Sequence, residues 1–251
     1  MTKLIWLDVG THAGQEFDSV FASDFIFYMK FIKRSLIDIY RGNFSSELIQ
    51  SFRNSVRARM QIKNLKGEIV RIGVEANPKI VTKYKIYRQI DMVFNLGLKN
   101  GSDFSSRIEP LFIGNGDLLS QGSSLYKEKH NVSQALSIPV FAVDPTRFLT
   151  TLDEYLRSMF EDFVVFLRLN CEGAEDEVIF TAHTVFADRL CLLGGSLKDV
   201  KDVKGDDAYH RLIHYLESQA LPFYEFNGNC TTWGDAHSAL ALVLGQLEKP
   251  T

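Results

Sequence analysis

Three short stretches hold residues whose types and spacing suit chemistry. The first is Asp8-Val9-Gly10-Thr11-His12-Ala13-Gly14, directly after the apolar run Leu4-Ile5-Trp6-Leu7. Its glycines let the backbone turn sharply and come close to a ligand. A helix starting behind such a loop offers free N–H groups to an anion. The spacing is D-x-G-x-x-x-G. It is neither the G-x-G-x-x-G of dinucleotide sites nor a phosphate loop, since no G-K-[ST] follows. The second stretch is Glu75, at the tip of the run Ile69 to Val74. An acid after a second strand commonly accepts both hydroxyls of a ribose. It is also an ordinary turn acid ahead of Asn77-Pro78. Paired with the glycine loop, it points to a nucleoside-containing cofactor. The third stretch is Asn170-Cys171-Glu172-Gly173-Ala174-Glu175, which closes the strongest buried strand of the sequence, Phe163 to Leu169.

The elements that must position these residues alternate between strand and helix. Strands are predicted at Leu4–Leu7, Glu68–Val74, Met92–Leu96, Ile108–Ile113, Val140–Val143, Phe163–Leu169, Leu190–Leu193 and Phe223–Phe226. A helix is predicted from Gly14 to about Arg41, with Phe17, Val20, Phe21, Phe25, Met29, Ile32 and Leu36 at spacings of three and four. Others are expected over Ser45–Ile62, Lys79–Tyr87, Thr150–Met159, Glu175–Thr184 and Asp206–Gln219. Thr151 and Glu154 fit a capping box for the fourth of these six. Asn115 to Asn131 reads as a long loop, and Ala236–Glu248 as a last helix or a strand with a tail. This alternation predicts an α/β fold: a mostly parallel central sheet with helices on both faces. In such sheets ligands lie outside the carboxyl ends of the strands, where all three stretches fall.

In order, LDVGTHAGQE, VEANP, Ser123-Ser124-Leu125, VDPTRFL and LRLNCEGAE resemble the signature segments of the FkbM-like family of S-adenosylmethionine-dependent methyltransferases. The resemblance spans residues about 4 to 180. It implies a Rossmann-like class I methyltransferase fold, S-adenosyl-L-methionine as cofactor, and methyl transfer to a hydroxyl of a sugar or small natural product. The implied cofactor-binding residues are Asp8, Gly10, Thr11, His12, Gly14, Glu75 and Ala76, and Ser123 and Ser124 are assigned to the acceptor. This chain departs from the family at His12 for Asn, Ala76 for Pro, Arg168 for Lys and Asn170 for Asp.

A hydroxyl acceptor must lose its proton, so a base is useful. The candidates are Glu172, Asp144 and His12, with Asn170 orienting the cofactor amine or the acceptor. Glu172 is equally a helix N-terminal acid favoured by the dipole, whereas Asp144 before Pro145 reads first as a turn residue and second as a base. Two other classes stay open. One is a non-catalytic binding protein that keeps the fold, suggested by Asn170. The other is a nicotinamide-dependent oxidoreductase, disfavoured by the loop spacing. His210 and His214 stand i, i+4 without the H-E-x-x-H pattern, so no metal site is expected.

Gly10 and Glu75 are 65 positions apart, about 40 more than a single crossover helix needs. The extra residues form a helical insertion at about 22–62, open to three roles: core packing, a lid over the acceptor, or a homodimer contact. The 251 residues allow one large domain or two small ones. No repeat or linker divides them, so the chain reads as a single methyltransferase-like domain. A formal net charge of −3 argues against a general nucleic-acid binder. Three cysteines without a CxxC pair read as reduced thiols. No run reaches the ~18 apolar residues of a membrane span. A cytoplasmic protein is expected.

Overall fold

The computed structural model of the chain describes residues 2–21, 23–40, 53, 55–57, 59–62, 68–85, 90–101, 106–226 and 232–247. In chain order the elements are β1 (Lys3–Val9), α1 (Gln15–Phe21), α2 (Asp24–Tyr40), β2 (Ile69–Val74), α3 (Pro78–Tyr84), β3 (Met92–Phe94), β4 (Gly97–Leu98), β5 (Ser106–Gly114), β6 (Val132–Val143), α4 (Pro145–Met159), β7 (Phe163–Leu169), α5 (Glu175–Phe186), β8 (Leu190–Gly195), α6 (Lys198–Lys204), α7 (Asp206–Ser218), β9 (Phe223–Glu225) and α8 (Thr232–Leu247). Backbone contacts gather into two compact units, Met1–Gly14 with Glu68–Glu225, and Gln15–Gly67 with Phe226–Thr251.

The first unit is built on a six-stranded sheet in the order β3-β2-β1-β7-β8-β9, with every neighbouring pair parallel. Counted along the chain, this order is 3-2-1-4-5-6, the arrangement of open dinucleotide-binding sheets. It reverses between β1 and β7, so a crevice opens at their carboxyl ends. The apolar runs follow from burial on both faces. Ile5, Leu7 and Val9 of β1 join one core with Leu149, Leu152 and Leu156 of α4 and with Val178, Ile179 and Ala182 of α5. Leu4 and Trp6 are equally buried on the opposite face, where the Trp6 ring meets Phe166 at 5.5 Å.

A second, three-stranded sheet, β4-β6-β5, follows β3 in the chain. β5 and β6 pair antiparallel from Ser106 opposite Val143 to Gly114 opposite Val132. Pro110 stands opposite Pro139 in that ladder. Proline donates no ladder hydrogen bond and is tolerated where the strand's other edge is unpaired. β6 pairs with β4 only near Ala142 and Val143. The strand predicted at Val140–Val143 is therefore much longer, and 115–131 is the loop of this hairpin.

Other boundaries are corrected. α4 begins at Pro145, not Thr150, and Asp144 is its N-cap. Thr151 is thus mid-helix and no capping box forms. The predicted 14–41 helix divides into α1 and α2. In α2, Phe25, Met29, Ile32 and Leu36 are exposed rather than core. Residues 53, 55–57 and 59–62 are helical, and the rest of the predicted 45–62 helix lies outside the described residues, as do Ile86 and Tyr87. In the second unit, α1 packs on α8. The Arg59 guanidinium there donates to Val20 O at 2.8 Å and Asp24 Oδ1 at 3.1 Å. Among the described residues, no helix is long and apolar enough to cross a membrane.

Candidate functional site

The carboxyl ends of β1, β2 and β7 and the loop 115–131 enclose one cleft, with about 530 Å³ of space unfilled by atoms, its solvent-facing part included. Its walls include Gly10 and His12 after β1, Glu75 and Ala76 after β2, and Asn170 and Glu172 after β7.

Gly10 shows why glycine is required. Its φ is +82°, and a Cβ there would lie 1.9 Å from the carbonyl oxygen of Asn170. The loop thus runs against the end of β7, and Asn170 N donates to Val9 O at 2.8 Å. Thr11 closes the turn from inside: its hydroxyl donates to Asp8 O at 2.7 Å, and its carbonyl accepts from Gly14 N at 3.0 Å. Asp8 and Thr11 are fully buried and form no part of the cleft wall. Asp8 instead pairs with Arg168, whose Nη1 donates to Asp8 Oδ1 and to Gly10 O, both at 3.0 Å. The pair holds the loop from beneath, which makes Asp8 a positioning residue. Breaking a buried pair leaves a charge uncompensated. Asp8→Ala is expected to lower the unfolding free energy by roughly 3 kcal/mol in urea denaturation. A loss under about 0.5 kcal/mol, the size of an ordinary surface change, would show that the loop does not depend on this pair.

Glu75 is buried, with both oxygens engaged. Oε2 accepts from His12 N at 2.7 Å and Oε1 from Asn77 N at 2.8 Å. Burial pushes its carboxyl above the ordinary value, against the two amides and the charge of Arg168. Each carboxylate oxygen can accept a second hydrogen bond, so Glu75 retains capacity for a diol. Asn77 caps α3 through Lys79 N at 3.0 Å.

The turn after β7 is conformationally demanding. Glu172 has φ +60° and Gly173 φ +116°. Both lie in the left-handed region, which costs a non-glycine residue about 1 kcal/mol or more. Tertiary bonds hold Glu172 there. Its carboxylate pairs with Lys129, which also meets Asp199 at 2.9 Å, and its carbonyl accepts from Ser124 Oγ at 2.7 Å. The Asn170 side-chain amide has no hydrogen-bond partner among the described residues. Glu175 is fully buried. Its Oε2 accepts from Gly173 N at 2.9 Å and its Oε1 has no hydrogen-bond partner. Burial pushes its carboxyl up to about 7. Desolvation, then the charge of Glu175, pushes the Cys171 thiol well above its ordinary value.

Glu175 therefore makes stability depend on pH. The unfolded chain releases this proton near 4.5 and the folded chain near 7. The folded state binds more protons between those values, so stability falls as pH rises through that window, by roughly 3 kcal/mol. Glu175→Gln is expected to remove that fall. Denaturation curves of the two proteins that stay parallel from pH 4.5 to 8 would contradict it.

The 115–131 loop is strapped onto these strand ends. Leu118 O accepts from Asn77 Nδ2 at 2.8 Å, and the His12 ring lies between Leu119 O at 3.1 Å and Gln121 Nε2 at 3.2 Å. Those two partners select the tautomer with hydrogen on Nε2. Ser123 lines the cleft, whereas Ser124 is buried and turned to Glu172 O. Asp144 is not at the cleft. Its Oδ1 accepts from Thr146 N at 2.9 Å and Arg147 N at 3.2 Å, the work of an N-cap. Asp144 is thereby removed from the base candidates. Lys129, which pairs with Glu172 and Asp199, and Gln121, which meets the His12 ring, carry no local signal in the sequence and were missed there. Among the described residues, no group of three or more His, Cys, Asp or Glu could hold a metal ion. Compared with family models, with curated proteins and with solved structures, the chain finds no match.

Proposed function

We propose that the chain is a cytoplasmic S-adenosylmethionine-dependent O-methyltransferase of the FkbM-like kind, acting on a hydroxyl of a sugar or small natural product. One observation carries the reading. At the reversal point of the sheet, a glycine loop too tight for a Cβ, a buried acid with spare acceptor capacity and an unpartnered amide converge on one cleft. Those groups fit the parts of the cofactor. Gly10 and Gly14 shape the loop for the methionine part, Glu75 takes the two ribose hydroxyls, and Asn170 takes the amine or the acceptor.

When bound, S-adenosylmethionine supplies a methyl group on a sulfonium. The protein's share is to hold the acceptor oxygen close and in line and to remove its proton. We assign that role to Glu172, a residue of the cleft wall whose carboxylate pairs with Lys129. Two carboxylates, Glu172 and Asp199, face the single ammonium of Lys129.

The sheet order also suits a nicotinamide-dependent oxidoreductase, a second reading that the D-x-G-x-x-x-G loop disfavours. A binding protein without turnover is the third, and rests on Asn170. Calorimetric titration with S-adenosylhomocysteine and NAD⁺, then a methyl-transfer assay over a panel of sugars and phenols, separates the three. Binding of NAD⁺ alone would overturn the proposal, and binding of S-adenosylhomocysteine without turnover on any acceptor would favour the third reading.

A further inference from the structure

A second concavity lies in the first unit, between β3 and α4, with about 1210 Å³ of unfilled space including its solvent-facing part. Its floor is Met92 and Phe94 of β3 together with Leu96 and Val143. Phe148 and Leu152 of α4 form the wall, and Phe148 meets Phe94 edge-to-face at 5.2 Å. β3 ends the six-stranded sheet, so no further described strand covers the floor on that side. Met92, Phe94 and Leu96 are accordingly only half-buried.

The rim has a different chemistry. Arg147, Thr151 and Tyr155 stand at i, i+4 and i+8 along α4, in one line beside the groove, and all three are exposed. Among the described residues, Arg147 is the one charged side chain on the lining. Its guanidinium has no ion pair or hydrogen bond among the described residues. An apolar trough with, among the described residues, a single unneutralised cation at its edge is complementary to an apolar chain bearing one anionic head. A nucleotide or sugar would leave its polar groups unpaired on this floor.

We propose that this groove binds a fatty carboxylate, its alkyl chain along β3 and α4 and its carboxylate on Arg147. The inference is independent of the methyltransferase reading, and its test uses no cofactor. The full chain is titrated calorimetrically with decanoate, decan-1-ol and acetate. Decanoate is expected to bind saturably, one per chain, and acetate not at all. Arg147→Gln should weaken decanoate at least tenfold, the loss of a charge-assisted bond, and leave decan-1-ol unchanged. Thr151→Trp, placing a ring across the mouth, should weaken both. Circular dichroism establishes that the variants are folded. Absence of saturable decanoate binding, or an affinity indifferent to both variants, would overturn the proposal. So would a dimer in sedimentation that Thr151→Trp dissolves, since a second copy would then be the occupant.

Discussion

Glu75→Ala is expected to lower the affinity for S-adenosylmethionine by about 10²–10⁴-fold. On the proposed reading the substitution removes the acceptor of two ribose hydroxyls, and hydrogen bonds to a charged group contribute roughly 1.5–3 kcal/mol each. Each 1.4 kcal/mol corresponds to about tenfold in affinity. The change also orphans the amides of His12 and Asn77, so the variant's folding must be measured beside its binding. Glu75→Gln separates the two effects. It keeps the shape and one carbonyl acceptor but not the charge, and should fall between wild type and alanine. An unchanged affinity in a folded Glu75→Ala protein would remove this residue from the site.

The second large effect belongs to Glu172. Glu172→Gln should keep cofactor affinity and lose about 10²–10⁴ in rate, the usual share of general base catalysis. Lys129 keeps Asp199 as a partner at 2.9 Å in that variant, so the turn is not left with an unpaired buried cation. Asn170→Asp should be tolerated. Its side chain has no partner to lose, and it restores the residue found in the family that the sequence resembles. Full activity in Glu172→Gln would move the base elsewhere, with His12 the next wall residue to test. A loss of binding equal to the loss of rate would make Glu172 a structural residue of the cleft.

What the sequence made legible was decided by local physics. β1 and β7 are buried on both faces, and a continuous apolar run is the direct signature of that. The glycine loop and Glu75 were found because they stand at the ends of such runs, where a parallel sheet presents ligands. Other features depend on partners distant in the chain. Lys129 sits in a Gly- and Ser-rich loop with nothing local to mark it, and meets Glu172 and Asp199 only once the 115–131 loop is folded back. The first two-thirds of β6, 132–139, was invisible because this stretch, mixed in polarity and ending in Pro139, is held by the ladder to β5 rather than by burial. Asp144 carried a signal that was misassigned: an acid before proline after a strand suits a base and an N-cap alike, and the helix beginning at Pro145 decides for the cap. Ser124 lies beside Ser123 yet turns the other way, onto the Glu172 carbonyl, and its backbone bridges to Phe112, a long-range pairing that nothing local in the sequence marks.

The central claim is that the cleft at the β1–β7 reversal holds S-adenosylmethionine. The most direct measurement is a calorimetric titration of the full chain with S-adenosylhomocysteine, repeated in the presence of saturating NAD⁺. The expected result is one S-adenosylhomocysteine bound per chain, with an affinity that NAD⁺ leaves unchanged. No binding of S-adenosylhomocysteine, or its displacement by NAD⁺ from the same cleft, would contradict the claim.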